Sequence, residues 1–268
     1  MVEDSNIVQL SPNEVKYPLL ISLYGETKKG KTFFGASFPN VVLLDFPPVV
    51  WKFKGVEIDR SAISRSVGEG FRSIFSPTWK SDGSVGWISK VPNFDFKNQY
   101  KFIKSWQEFQ MAIEHARLFA ESIPDGDGKC WVVIDDTNRW RGIEVYNWTE
   151  KNQGKWPAPN QFGQITQMMQ GEITSIQEFA NVLLISRMVK NFDTGEYGPQ
   201  VYPTGSDYLA DASIEIRNEL DSNKKLIQVI EVHSNGHDFV CSPGYCTKIV
   251  NPTPVEVLTS LKIPMELW

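Results

Sequence analysis

Apolar positions along the chain fall into two alternating patterns. Short, nearly unbroken apolar runs occur at 19–24, 41–45, 131–134 and 182–185, the signature of strands buried on both faces of a sheet. Between them, apolar residues recur at helical spacing: Trp106, Phe109, Ile113, Ala116 and Ala120 share one face, and Phe162, Ile165, Met169, Ile173, Ile176 and Ala180 share another. Residues 31–38 read as a short helix directly after the first run. Prolines 47 and 48 stop the second run, because proline cannot donate to a sheet ladder. Pro124-Asp125-Gly126-Asp127-Gly128 turns the chain before the third. Strands that alternate with helices predict an α/β fold with a mostly parallel, doubly wound sheet.

Two stretches depart from this rhythm. From about 51 to 104, glycine, serine and proline break the pattern among scattered aromatics, which predicts an irregular, partly ordered insert. Near the end, Leu226 to Val232, the turn Ser234-Asn235-Gly236 and His237 to Cys241 predict a C-terminal β-hairpin, since Asn-Gly supplies the positive φ that tight hairpin turns need. The expected organisation is a lead-in at 1–18, one domain at 19–250 and a tail or helix at 251–268.

Composition narrows the picture modestly. With 41% hydrophobic and 22% charged residues in 268, the chain can bury one large α/β core. A net charge of −5 argues against a surface coated in positive charge, while leaving room for a local basic groove. The acidic opening Met1-Val2-Glu3-Asp4 has no apolar run of signal-peptide length, and no stretch reaches the roughly 18 apolar residues that span a bilayer. The expectation is therefore a cytoplasmic protein with no membrane partner. Cys130, Cys241 and Cys246 are too few for a disulfide framework.

The sharpest chemical signal is Gly25-Glu26-Thr27-Lys28-Lys29-Gly30-Lys31-Thr32, which fits the phosphate-loop pattern GxxxxGK[ST]. Glycines at both ends let the backbone curl so that its N–H groups face a phosphate, with a helix start behind them. Lys31 then reaches the β- and γ-phosphates of ATP, and Thr32 ligates Mg2+. The loop follows an apolar run and precedes a helical segment, as the pattern requires. A later apolar strand ends in Asp135, the expected holder of the magnesium shell. The alternative is that Asp135 and Asp136 only cap the next helix.

With these residues in place, the sequence resembles the RecA-core P-loop ATPases of phages and other mobile elements, some of which act in single-strand annealing or recombination. Four segments carry the likeness: the loop 25–32 with the tail Ala36-Ser37-Phe38-Pro39-Asn40; Val132-Val133-Ile134-Asp135; Asn181 to Arg187; and Tyr208-Leu209-Ala210-Asp211 leading into Ile214-Glu215-Ile216. The resemblance implies a RecA-like fold, ATP hydrolysis, single-stranded DNA as a partner, and association with itself or with other recombination or replication proteins. It also implies that Ser186 or Arg187 senses the γ-phosphate at a strand end. Asn223-Lys224-Lys225 looks like the lysine-bearing strand that reaches a neighbour's site in such filaments; a solvated turn fits it equally. One position departs from the family, whose glutamate two residues after the strand-two aspartate orients the attacking water. Here that residue is Pro47. Asp136, with Asp45 as the other candidate, is then expected to act as base, with slow or partner-dependent turnover. A binder that hydrolyses little, serving as a structural or loading factor, is the alternative.

Two weaker patterns remain. His233, His237, Cys241 and Cys246 have zinc-ligand chemistry, but their placement on an alternating hairpin disfavours one tetrahedral focus. Lys97, Tyr100, Lys101, Phe102, Lys104 and Trp106 interleave cations and aromatics as single-strand-binding grooves do, as does Trp51-Lys52-Phe53-Lys54; packed aromatics beside wet lysines read the same way.

Overall fold

The computed structural model describes residues 18–46, 70–82, 85–95, 99–190, 195, 197–204, 210–234, 246–261 and 263. The apolar runs form β1 (Leu20–Tyr24), β2 (Val41–Asp45), β6 (Trp131–Asp135) and β7 (Asn181–Ile185). The first three follow, in order, the lead-in, α1 (Lys31–Ala36) and α2 (Trp106–Ser122). After β6 come α3 (Thr137–Lys151) and α4 (Phe162–Gln177), which leads into β7.

The region expected to be irregular contains regular structure where it is described. Residues 70–74 are helical. β3 (Phe75–Trp79) and β4 (Val85–Ser89) form an antiparallel hairpin, and β5 (Tyr100–Phe102) joins the main sheet beside β2. A second small hairpin, β8 (Arg187–Lys190) with β9 (Tyr197–Gln200), leaves the end of β7. The chain closes with β10 (Ala212–Leu220), β11 (Leu226–Ser234), β12 (Cys246–Val250) and α5 (Pro254–Ser260).

The main sheet has eight strands in the order β12-β11-β10-β1-β7-β6-β2-β5. The six from β10 to β5 run parallel, and β11 and β12 extend one edge antiparallel. Of the hairpin expected at 226–241, the first arm corresponds to β11. β11 pairs with β10 across the turn at 221–225 and with β12 on its other side. The Asn235-Gly236 turn and its arm 237–241 lie outside the described residues.

Alternate strand residues feed two cores. Ile21, Leu23, Leu43, Val133, Leu183 and Ile185 face one side with α1, α5 and the aromatics of β3 and β5. Leu20, Val42, Leu44, Val132, Val182 and Leu184 face the other, against Phe109 of α2, Trp140 and Trp148 of α3, and Ile165, Met169 and Ile173 of α4. Strands buried on both faces of a mostly parallel sheet, with helices on both sides, are what the sequence pattern predicted. Among the described residues, no helix is long and apolar enough to cross a membrane.

Candidate functional site

The P-loop emerges where β1 ends between β10 and β7. Its two outer glycines are fixed by close approaches. A Cβ on Gly25 would collide with the Ile216 carbonyl oxygen of β10, and one on Gly30 with the Gln228 side chain of β11. Gly30 also sits at φ +90°, where side chains are strained, and caps α1. Gln228 Nε2 donates to the Lys29 carbonyl at 2.9 Å, so the antiparallel edge braces the loop. Lys29 and Glu26 form an ion pair at 3.4 Å on the outer side of the loop.

Lys31 is buried, and its ammonium donates to the carbonyls of Gly25 at 2.8 Å and Glu26 at 2.7 Å. Burial pushes its pKa down, against the pull of Asp135 and Asp136. Thr32 Oγ1 donates to Asp135 Oδ2 at 2.5 Å, joining the loop to the end of β6. Asp45 and Asp135 are register partners at the ends of adjacent strands. Burial raises both carboxyl pKa values, and their mutual repulsion adds to the shift of Asp45, which reaches about 7. Tyr100 from β5 donates to Asp45 Oδ2 at 2.5 Å. The phenol is itself raised well above its ordinary pKa, chiefly by burial.

Asp136 is differently employed. It caps α3 by accepting from Arg139 N at 2.9 Å, and its other oxygen lies 2.5 Å from Arg187 Nε and 3.5 Å from Arg139 Nε. Arg139 also donates to the Phe46 carbonyl at 2.9 Å and stands 3.9 Å from Asp45. The capping role weighed for this acid is therefore occupied, together with two guanidinium contacts.

These groups share a cavity of about 570 Å³. Of the residues singled out in the sequence, Thr27, Lys28, Gly30, Lys31, Thr32, Asp45, Asp135, Asp136 and Arg187 line it. Ser186 does not: it is fully buried, with its hydroxyl 2.9 Å from that of Thr137 beneath the site. Pro47 lies outside the described residues. Sequence reasoning missed Phe33, Gly70, Arg72, Ser73 and Arg139, which also line the cavity. Arg139 had a local signal, since three residues after a helix-capping acid a side chain folds back over it. The segment 70–73 had none.

The donor set suits a hard divalent cation. A hydroxyl and a carboxylate already meet at Thr32 and Asp135, and magnesium binds through one or two such oxygens together with phosphate and water. Of the zinc pattern, His237 and Cys241 lie outside the described residues, while His233 and Cys246 are register partners on β11 and β12. Among the described residues, no group of three or more His, Cys, Asp or Glu side chains is arranged to hold a metal.

The cation-aromatic stretch is largely engaged elsewhere. Tyr100 packs in the core beside Asp45, Phe102 lies partly buried against the same core, and Trp106 donates to Glu172 at 3.2 Å under the Lys151 ammonium. None is an open platform for a base. Lys97 and residues 51–54 lie outside the described residues. Asn223-Lys224-Lys225 forms the turn between β10 and β11, with Lys224 at φ +60°.

No protein-family model matches the sequence, and no curated protein matches it either. Among solved structures, the chain is similar to a prototypical ATPase from the type III secretion system of pathogenic bacteria, at 13% identity and a TM-score of 0.41. The match covers 75% of this chain and 52% of that one, so the chain spans about half the length of its neighbour, and the likeness is too distant to argue from.

Proposed function

We propose that the chain binds MgATP in this cavity and hydrolyses it to ADP and phosphate. The observation that carries the reading is the convergence of Lys31, Thr32 and Asp135 on one cavity at the mouth of a glycine-bounded loop. Bound nucleotide would draw the Lys31 ammonium from the loop carbonyls to the β- and γ-phosphates, a stronger charge-assisted contact. Thr32 and Asp135 would hold magnesium, which neutralises charge on the phosphate oxygens when bound.

Asp45 is the better base of the two candidates. Its carboxyl titrates near 7 and lines the cavity beside Asp135, whereas Asp136 is tied to Arg187, Arg139 and its own helix. Asp45 would take a proton from water as the water oxygen bonds to the γ-phosphorus and the bond to the ADP oxygen breaks. The engagement of Asp136 also favours the second reading, a nucleotide binder with little turnover. Use of ATP in phage or mobile-element DNA recombination, annealing or repair is proposed from the resemblance alone.

Steady-state turnover with Mg2+, with and without single-stranded DNA, tests these readings. Asp45→Asn is expected to lower kcat on the order of 10²-fold or more, as loss of a general base does, and Asp136→Asn to lower it less. Parent-rate hydrolysis by Asp45→Asn would remove Asp45 from the base role. No turnover by the parent under any condition would favour the binder.

A further inference from the structure

We propose that Arg72 is a cation delivered in cis to the terminal phosphate of the bound nucleotide; this rests on the MgATP reading above. The helical segment 70–74 closes the acidic side of the cavity, with Gly70, Arg72 and Ser73 all lining it. Gly70 lies so close to Asp45 that a Cβ there would collide with the carboxylate. Asp45 in turn is the strand-end neighbour of Asp135, which bonds Thr32. The segment therefore stands at the phosphate and metal end of the cavity.

Its backbone is well held. Ser73 Oγ donates to the Gly70 carbonyl at 2.6 Å, Lys90 Nζ to the Arg72 carbonyl at 2.5 Å, and Lys90 N to the Ile74 carbonyl at 2.7 Å. Phe71 packs against Phe75, Trp87 and Tyr100 at ring separations of 4.5, 4.8 and 5.5 Å. The other two arginines of the cavity, Arg139 and Arg187, are both paired with Asp136. Among the described residues, Arg72 is the cavity arginine whose side chain has no ion pair or hydrogen bond. An exposed arginine that lines the cavity from a braced turn fits the terminal phosphoryl group. Its planar fork matches phosphate oxygens, and charge on those oxygens is what a phosphoryl-transfer site must stabilise.

The test compares parent, Arg72→Ala and Arg72→Lys for equilibrium binding of MgADP and of MgADP with aluminium fluoride, a mimic of the phosphoryl group in transfer. The parent is expected to bind the fluoride complex at least roughly 10²-fold more tightly than MgADP. Arg72→Ala is expected to bind MgADP as the parent does and to lose most of that preference, with Arg72→Lys intermediate. Guanidinium ion at millimolar concentration should restore part of it. Thermal unfolding should not separate Arg72→Ala from the parent, because the residue is exposed and its side chain pairs with none of the described residues. Full preference retained in Arg72→Ala, no preference in the parent, or equal loss of MgADP affinity in Arg72→Ala would overturn the inference. Failure of the parent to bind MgADP at all would overturn the nucleotide reading and this inference with it.

Discussion

Asp45 and Asp136 are both buried acids at the cavity, yet their partners give them different surroundings. Asp136 accepts from a helix N-terminus and faces two guanidiniums, which tie it to the start of α3. Asp45 faces a like charge and a phenol, and its carboxyl is held up near 7 by burial and Asp135. A base must be ionised to act, so activity limited by Asp45 is lost as pH falls below its pKa. We expect kcat/KM for MgATP to rise about tenfold per unit below pH 7 and to level above it. A flat profile from pH 5.5 to 8 would contradict the assignment. That Lys31, Thr32 and Asp135 meet at one cavity was legible in the sequence because loop spacing and a strand end are local features. The division between Asp45 and Asp136 was not, because it depends on Tyr100, Arg139 and Arg187, which approach from other elements. The family resemblance offered Ser186 or Arg187 at this strand end; Arg187 lines the cavity, while the Ser186 hydroxyl is buried against Thr137.

At the scale of elements, the P-loop is braced from the side by β10 and β11. Gln228 donates to Lys29 and fills the space against Gly30, so the antiparallel edge braces the curl of the loop. Gln228→Ala removes one hydrogen bond, about 1 kcal/mol, and is expected to weaken MgATP binding by up to about tenfold. Unchanged affinity, measured calorimetrically, would mean that the loop holds its shape without β11. The strands of the parallel sheet were readable because burial on both faces leaves unbroken apolar runs. α3 was not, because it turns Glu144, Asn147 and Thr149 inward with Trp140 and Ile143, which blurs its apolar stripe. β3 carries Pro77, and β8 is a four-residue strand, so neither shows a period long enough to recognise.

Over the whole molecule, two cores sandwich the sheet, and the one covered by α2, α3 and α4 contains a pair of acids. Glu144 is fully buried near Glu172, Asn147 and Trp140, and none of these contacts closes into a full hydrogen bond. Glu172 accepts from Trp106 and Gln110. Burial raises Glu144 to about 7 and, with the charge of Glu144, Glu172 to about 8, against the opposing pull of Lys151 on Glu144. Acids whose folded pKa exceeds the unfolded value stabilise the fold fully only at low pH. That contribution declines as pH rises from about 4.5 through 8. Glu144→Gln is therefore expected to raise the melting temperature at pH 8.5, roughly 2–4 °C for each kcal/mol relieved, and to raise it much less or not at all at pH 5. An equal shift at both values would show that ionisation of the pair has no part in stability. The sequence pointed to the apolar lining of this core but not to its acids, since a glutamate on a polar-looking helix gives no sign of facing inward.

That the loop at 25–32 holds MgATP through Lys31 is tested most directly by equilibrium binding of MgATP to the parent and to Lys31→Ala, with folding of both checked by thermal unfolding. Two charge-assisted contacts to phosphate are worth roughly 3 kcal/mol or more together, so the variant is expected to bind on the order of 10²-fold more weakly while remaining folded. Equal affinity in a folded Lys31→Ala, or no binding by the parent, would contradict a nucleotide site at this loop.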